Sequence, residues 1–204
     1  MRLGVFGGTF DPVHYGHLLL AECCREQHRL DEVWFLPAAV PPHKQGQDRT
    51  PAEMRIEMLQ LAIAGHPAFS VCSYETDRGG VNFTHETLAH FRQEAPDRDL
   101  FFLLGADMLL DLPSWREPAR ICDLAMPVVV RRPGPAALDF DCLSELASPE
   151  QIGEIRRHQV EMPEIGISSR EIRSRVAARE SIRYQTPRAV EKFIETHRLY
   201  RSDA

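Results

Sequence analysis

Short apolar runs rich in β-branched and aromatic residues alternate with longer amphipathic stretches along most of this 204-residue chain, and that alternation restricts the fold more than any other feature. Arg2–Phe6 reads as a strand that stops at Gly7-Gly8, His17–His28 as a helix, and Glu32–Leu36 as a second strand stopped by Pro37. Pro51–Gly65 sets Met54, Met58 and Leu61 at helical spacing, and Gly65 suits the C-terminal end of that helix. Phe69–Tyr74 reads as a third strand and Thr84–Ala95 as a helix ended by Pro96. Asp99–Leu104 is a fourth strand and Ala125–Val130 a fifth. The fourth is nearly all apolar, as burial on both faces requires. The C-terminal part is helical around Ser169–Ala178 and Pro187–His197.

Repeated β-α-β units demand a parallel sheet with right-handed crossovers. The class is therefore α/β: a Rossmann-like open parallel sheet of expected order 3-2-1-4-5, with a helical C-terminal part. The length fits a single domain over 1–204. The loops at 41–50 and 131–138 carry the polar, Gly and Pro residues of connecting segments. Net charge is −6, the wrong sign for a general binder of nucleic acid, so an anionic ligand needs a local cluster of donors. No run approaches the roughly 20 apolar residues that cross a bilayer, and MRLGVFGGTF cannot supply a signal-peptide core. The five cysteines are Cys23, Cys24, Cys72, Cys122 and Cys142, an odd number without a CxxC. They read as reduced, structural thiols of a cytoplasmic protein with no membrane partner.

Chemistry concentrates first in Gly7–His17, GGTFDPVHYGH, where the first strand ends. Ligands of open α/β sheets bind beyond the carboxyl ends of strands. Adjacent glycines let backbone approach a phosphate, and a helix beginning near Gly16 aims its free N–H groups and positive dipole end at the same place. His14 and His17 are three apart, so in a helical turn they share a face. A plain strand-to-helix turn with surface histidines would explain each piece singly, but not their combination. The segment is neither GxGxxG nor a Walker A loop.

A second anion site is written in Ile167–Arg173, ISSREIR. Ser168 and Glu171 have the S-x-x-E spacing of a capping box. That leaves Ser169 and the cations unexplained. A helix N-terminus flanked by a hydroxyl and guanidinium groups holds anions. With strand order 3-2-1-4-5, Gly7 faces Gly105-Ala106-Asp107 across the switch point. Asp107 can accept ribose hydroxyls there, or cap a short helix through Leu110, or do both. Trp115 offers either a stacking face for a flat cationic ring or ordinary core packing.

At these residues the chain resembles a known family. Gly7–His17 is similar to the GTFDPxHxGH motif of adenylyltransferases in the HxGH nucleotidyltransferase superfamily, and ISSREIR resembles the superfamily's ISSTxIR. Arg170 stands where that motif has Thr or Ser and reads as an exposed arginine. VPPHK at Val40–Lys44, Arg55-x-x-Met58, LGAD at Leu104–Asp107, Trp115, RRPG at Arg131–Gly134 and a Pro187…Phe193…Tyr200 pattern extend the likeness to nicotinate mononucleotide adenylyltransferases. Asn82-Phe83-Thr84 replaces their Ser-Tyr-Thr, so Phe83 lacks a hydroxyl.

The resemblance implies transfer of AMP from ATP to nicotinate mononucleotide, giving deamido-NAD and pyrophosphate. It implies catalysis by His14 and His17, and ATP binding by Gly7, Gly8, Thr9, Phe10, Gly105, Asp107, Ile167, Ser168, Ser169 and Arg173. The acceptor would be held by Lys44, Thr84, Trp115 and Arg132. Mg²⁺ would arrive through the ATP phosphates, with no protein metal cage. Two rivals remain. One is the phosphopantetheine-specific enzyme of the superfamily, usually shorter and lacking the Trp115 and RRPG segments. The other is a non-catalytic Rossmann dinucleotide-binding protein, which should carry GxGxxG and an acidic residue ending its second strand.

Overall fold

In the computed structural model, described over residues 1–39, 50–131 and 138–201, six parallel strands form one open sheet of order β3-β2-β1-β4-β5-β6. The strands are β1 (Arg2–Gly8), β2 (Glu32–Pro37), β3 (Phe69–Val71), β4 (Asp99–Gly105), β5 (Met126–Arg131) and β6 (Val160–Glu161). The predicted order 3-2-1-4-5 is present, extended by the two-residue β6 beside β5. The helices are α1 (Tyr15–Gln27), α2 (Ala52–Ile63), α3 (Tyr74–Arg78), α4 (Thr84–Glu94), α5 (Ala106–Asp111), α6 (Pro118–Leu124), α7 (Pro149–Arg157), α8 (Ser169–Ala177) and α9 (Arg188–Thr196). No helix among the described residues is long and apolar enough to cross a membrane.

The period-2 alternation of strands distributes their side chains between two cores. Along β4, Phe101 and Leu103 join one cluster with Cys24 of α1, Met58 and Leu59 of α2, Ile172 of α8 and Ile194 of α9. Leu100, Phe102 and Leu104 join the other, with Leu88 and Phe91 of α4, Ile121 of α6 and Ile155 of α7. Both faces of the strand are thus covered, which is why its sequence shows no polar alternation. The register Leu3↔Glu32 to Gly8↔Pro37 on one edge of β1, and Arg2↔Asp99 to Val5↔Phe102 on the other, brings the carboxyl ends of β1, β2 and β4 to one rim.

The structure departs from the sequence reading in places that matter for the site. β1 continues through Gly7 and Gly8 instead of stopping before them. β3 ends at Val71, because Ser73 Oγ donates to Asp77 and Thr76 Oγ1 to the Ser73 carbonyl, local bonds that turn Tyr74–Arg78 into α3. α4 begins at Thr84 with Phe83 as its N-cap and ends at Glu94, one residue earlier than read. Gly105, not Asp107, occupies the N-cap of α5, and Asp107 is exposed in its first turn. The thiols are all unpaired, and burial raises those of Cys24 and Cys122, the latter to about 11, so they carry little thiolate at neutral pH.

Candidate active site

The loop after β1 is built around a buried aromatic ring. Phe10 has φ 50 and is 1% exposed, its ring wedged edge-on between Phe6 and His17 at centroid distances of 5.3 and 5.0 Å. A Cβ at Gly8 would fall 2.8 Å from that ring, so the glycine is needed for this close approach. With its side chain in the core, Phe10 can meet a ligand only through its backbone. Arg55 of α2, 2% exposed, fixes the same loop from beneath. Its guanidinium donates to the carbonyls of Thr9 (2.8 Å), Ala38 (2.9 Å) and Thr50 (3.1 Å).

His14 is the N-cap of α1, and its backbone N–H donates to Nδ1 of His17 at 3.3 Å. The two imidazoles stack with centroids 3.7 Å apart and 22° between planes, so the shared face expected from their spacing is present. Desolvation by burial, and secondarily the neighbouring His14, hold the His17 pKa well below the usual 6.5. A neutral His17 that accepts at Nδ1 carries its proton on Nε2, and that N–H is its remaining donor. The α1 terminus is less open than the sequence suggested, since the Tyr15 N–H already donates to the Gln185 carbonyl at 3.1 Å.

The second motif closes onto the first. Ser168 is the N-cap of α8 and its Oγ accepts the Glu171 N–H at 3.2 Å. Ser169 Oγ donates to the Pro12 carbonyl at 2.9 Å, and Arg173 donates to the Asp11 carbonyl at 2.7 Å. The Asp11 carboxylate, itself buried, accepts the Tyr200 hydroxyl at 2.6 Å. Burial and the Asp11 charge push the Tyr200 phenol up from its ordinary value, so it stays a donor. Arg170 is exposed, as read from the sequence, while Ile167 and Arg173 are half-buried.

On the α4 side of the sheet lies a cleft of about 750 Å³. Gly7, Gly8, Thr9, Gly105, Thr84 and Trp115 all line it, which joins the β1 loop to the predicted acceptor residues. Trp115 packs edge-on against Phe102 at 6.0 Å while presenting a surface to the cleft, so it serves core and cavity together. The Phe83 carbonyl accepts the N–H groups of Glu86 (2.9 Å) and Thr87 (3.2 Å). Those of Thr84 and His85 meet no acceptor among the described residues. Lys44 and Arg132 lie outside the described residues.

Sequence reasoning left several contributors unassigned. Asp11 and Arg55 work through backbone carbonyls, which no motif spells out, although an arginine among the apolar positions of α2 is a signal of buried bonding. Glu75 lines the cleft, is buried and accepts the Thr87 hydroxyl at 2.8 Å; burial raises its pKa. Arg116 and Phe83 also line the cleft.

A crevice at the β1/β4 switch point, whose glycine-bearing strand end leads into a loop held by the α8 N-terminus, has the layout of a nucleotidyltransferase site, and the family described as cytidylyltransferase-like matches residues 5–175. Within that class, the chain belongs to the nicotinate-nucleotide adenylyltransferase family. It is 45% identical over 201 residues to a protein of Thermomicrobium roseum named probable nicotinate-nucleotide adenylyltransferase, covering 98% of this chain and 92% of that one. A protein of a Roseiflexus species with the same name is 48% identical, with 98% of each chain covered. In fold, the chain is similar to the Plasmodium falciparum nicotinic acid mononucleotide adenylyltransferase complexed with NaAD. The TM-score is 0.75 at 17% identity, covering 98% of this chain and 97% of that one.

Proposed function

We propose that the protein joins the AMP part of ATP to nicotinate mononucleotide, releasing pyrophosphate and forming nicotinate adenine dinucleotide, a step of NAD biosynthesis. One observation carries this reading most directly. Gly7 and Gly8, the end of β1, and Thr9 line the cleft that holds Thr84 and Trp115, and they lead directly into the loop that Ser169 and Arg173 of the second motif bind at Pro12 and Asp11. A phosphate site and an apolar, ring-sized site therefore share one backbone segment.

An oxygen of the mononucleotide's 5′-phosphate attacks the α-phosphorus of ATP, a P–O bond forms, and the bond to the bridging oxygen of pyrophosphate breaks. The attacking phosphate is already anionic near pH 7, so no protein nucleophile or strong base is required. The chain's task is placement and charge stabilisation. His17, through Nε2–H, and His14 donate to the transferring phosphate and the leaving group. Ser168, Ser169, Ile167 and Arg173 hold the phosphate tail, the backbone of Gly7, Gly8, Thr9 and Phe10 approaches the phosphates, and Gly105 and Asp107 hold the adenosine side. Trp115 stacks on the pyridine ring, and the open N–H groups at Thr84 and His85 face its carboxylate. Mg²⁺ would enter with ATP, held mostly by phosphate oxygens and water, and would neutralise phosphate charge. Unpaired thiols fit a reducing, cytoplasmic setting.

The test is pyrophosphate release from ATP with three acceptors: nicotinate mononucleotide, nicotinamide mononucleotide and phosphopantetheine. Turnover with phosphopantetheine alone would overturn the assignment.

A further inference from the structure

We infer that Arg116 sets the charge selectivity of the acceptor cleft, its guanidinium drawing in a ring that carries a carboxylate. The inference rests on the reading of this cleft as the mononucleotide site. Among the described lining residues Arg116 is the only cation, and the other charged ones are Glu75 and Asp111. Without Arg116 the lining would present carboxyl groups alone to an anionic ligand, and like charge repels. The guanidinium carbon lies 4.6 Å from the centroid of the Phe83 ring. Phe83 is the N-cap of α4, so the charge is parked at the helix end where the Thr84 and His85 N–H groups are open. A guanidinium over an aromatic face keeps its in-plane N–H donors available, and their fork matches a planar carboxylate.

The turn that presents Arg116 is fixed from several sides. His85, 3% exposed in the first turn of α4, has Nδ1 3.1 Å from the Arg116 carbonyl and Nε2 3.4 Å from the Glu117 carboxylate. Glu117 adopts φ 49, a left-handed conformation that a non-glycine residue holds only when its surroundings impose it. The first turn of α4 thus carries the open backbone donors and, through Phe83 and His85, holds the turn that bears the cation. Arg116 itself is exposed on the rim, so its pull is that of a screened charge and should show in affinity and salt dependence.

The experiment compares the parent enzyme with Arg116→Gln and Arg116→Lys. Nicotinate mononucleotide is measured as substrate, and nicotinamide mononucleotide as substrate or competing ligand, at low and high KCl. Arg116→Gln is expected to lower kcat/KM for the acid about 2- to 5-fold, mainly through KM, with a smaller loss for the amide. High salt should narrow that gap, and Arg116→Lys should retain most of the preference. An equal loss for acid and amide, or no loss in Arg116→Gln while the parent uses nicotinate mononucleotide, would overturn the inference and leave the assigned reaction intact. A parent enzyme that uses neither mononucleotide would remove both.

Discussion

Arg173 donates to the backbone carbonyl of Asp11 across 162 residues of sequence, at 2.7 Å. That single bond fastens the helix carrying the second phosphate motif to the loop carrying the first. One nitrogen of the guanidinium holds the loop, while the group retains further N–H donors for a ligand. The residue is therefore both a tie in the scaffold and a donor in the proposed ATP site, and its variants should separate the two roles.

Arg173→Ala should lose both. A charge-assisted bond of this kind is worth about 1.5–3 kcal/mol, so thermal or denaturant unfolding should show a loss of that order. Activity should fall further than stability explains. Arg173→Lys keeps the charge but cannot serve carbonyl and phosphate together. Its expected signature is a smaller loss of stability with a raised KM for ATP. Unchanged KM for ATP in both variants would remove Arg173 from the ATP site.

His17→Ala should lower kcat by roughly 10²–10³-fold with a much smaller effect on KM, because the Nε2–H bond strengthens as charge builds on the transferring phosphate. Steady-state kinetics in both substrates checks this. An intact kcat would end the catalytic assignment.

The depressed pKa of His17 also predicts a pH dependence of folding. The unfolded chain takes up a proton near the ordinary value of 6.5, while the folded chain resists it down to lower pH. The contribution is fully present above 6.5 and is lost as pH falls from there toward the folded pKa. The slope in that window is at most about 1.4 kcal/mol per pH unit. Denaturant unfolding at pH 7.5 and 5.5 should show a larger loss in the parent than in His17→Asn. Equal losses would mean that His17 is not held neutral.

Acid should be preferred over amide in the parent, because charge-assisted bonds to the open N–H groups of Thr84 and His85 favour a carboxylate. Trp115→Ala should weaken both mononucleotides alike, since stacking reads the ring and not its substituent. Efficiencies for both acceptors, in parent and variant, test the two halves. A ratio that collapses only in Trp115→Ala would give discrimination to the wrong residue.

What the sequence discloses here follows from what the physics makes periodic. β1, β2, β4 and β5 are apolar runs because both faces are covered, and right-handed crossovers limit the orders they can take. The phosphate motifs are legible because they are local: Gly7, Gly8, His14 and His17 sit within eleven residues, and Ser168, Ser169 and Arg173 within six. α7 escaped notice although Ser148, Pro149 and Gln151 announce it, with Ser148 and Gln151 forming a reciprocal capping box. β6, two residues long, has no pattern to read. Least legible are the ties among distant residues: Arg55 on the Thr9 and Ala38 carbonyls, Tyr200 on Asp11, Arg116 on Phe83. Each depends on backbone atoms or on pairings created only by the closed fold.

The bond from the Tyr200 hydroxyl to Asp11 has a consequence for the life of the molecule at the ribosome. The loop around Asp11 belongs to the first strand-to-helix turn made, yet its carboxylate keeps no tyrosine partner until residue 200 has left the exit tunnel. A nascent chain can lay down its central strands early, since domains fold as their residues emerge. It cannot complete the Asp11 loop early. Completion of this contact is thus deferred until residue 200 has emerged, and a chain stopped before it would lack the bond that holds the Asp11 carboxylate.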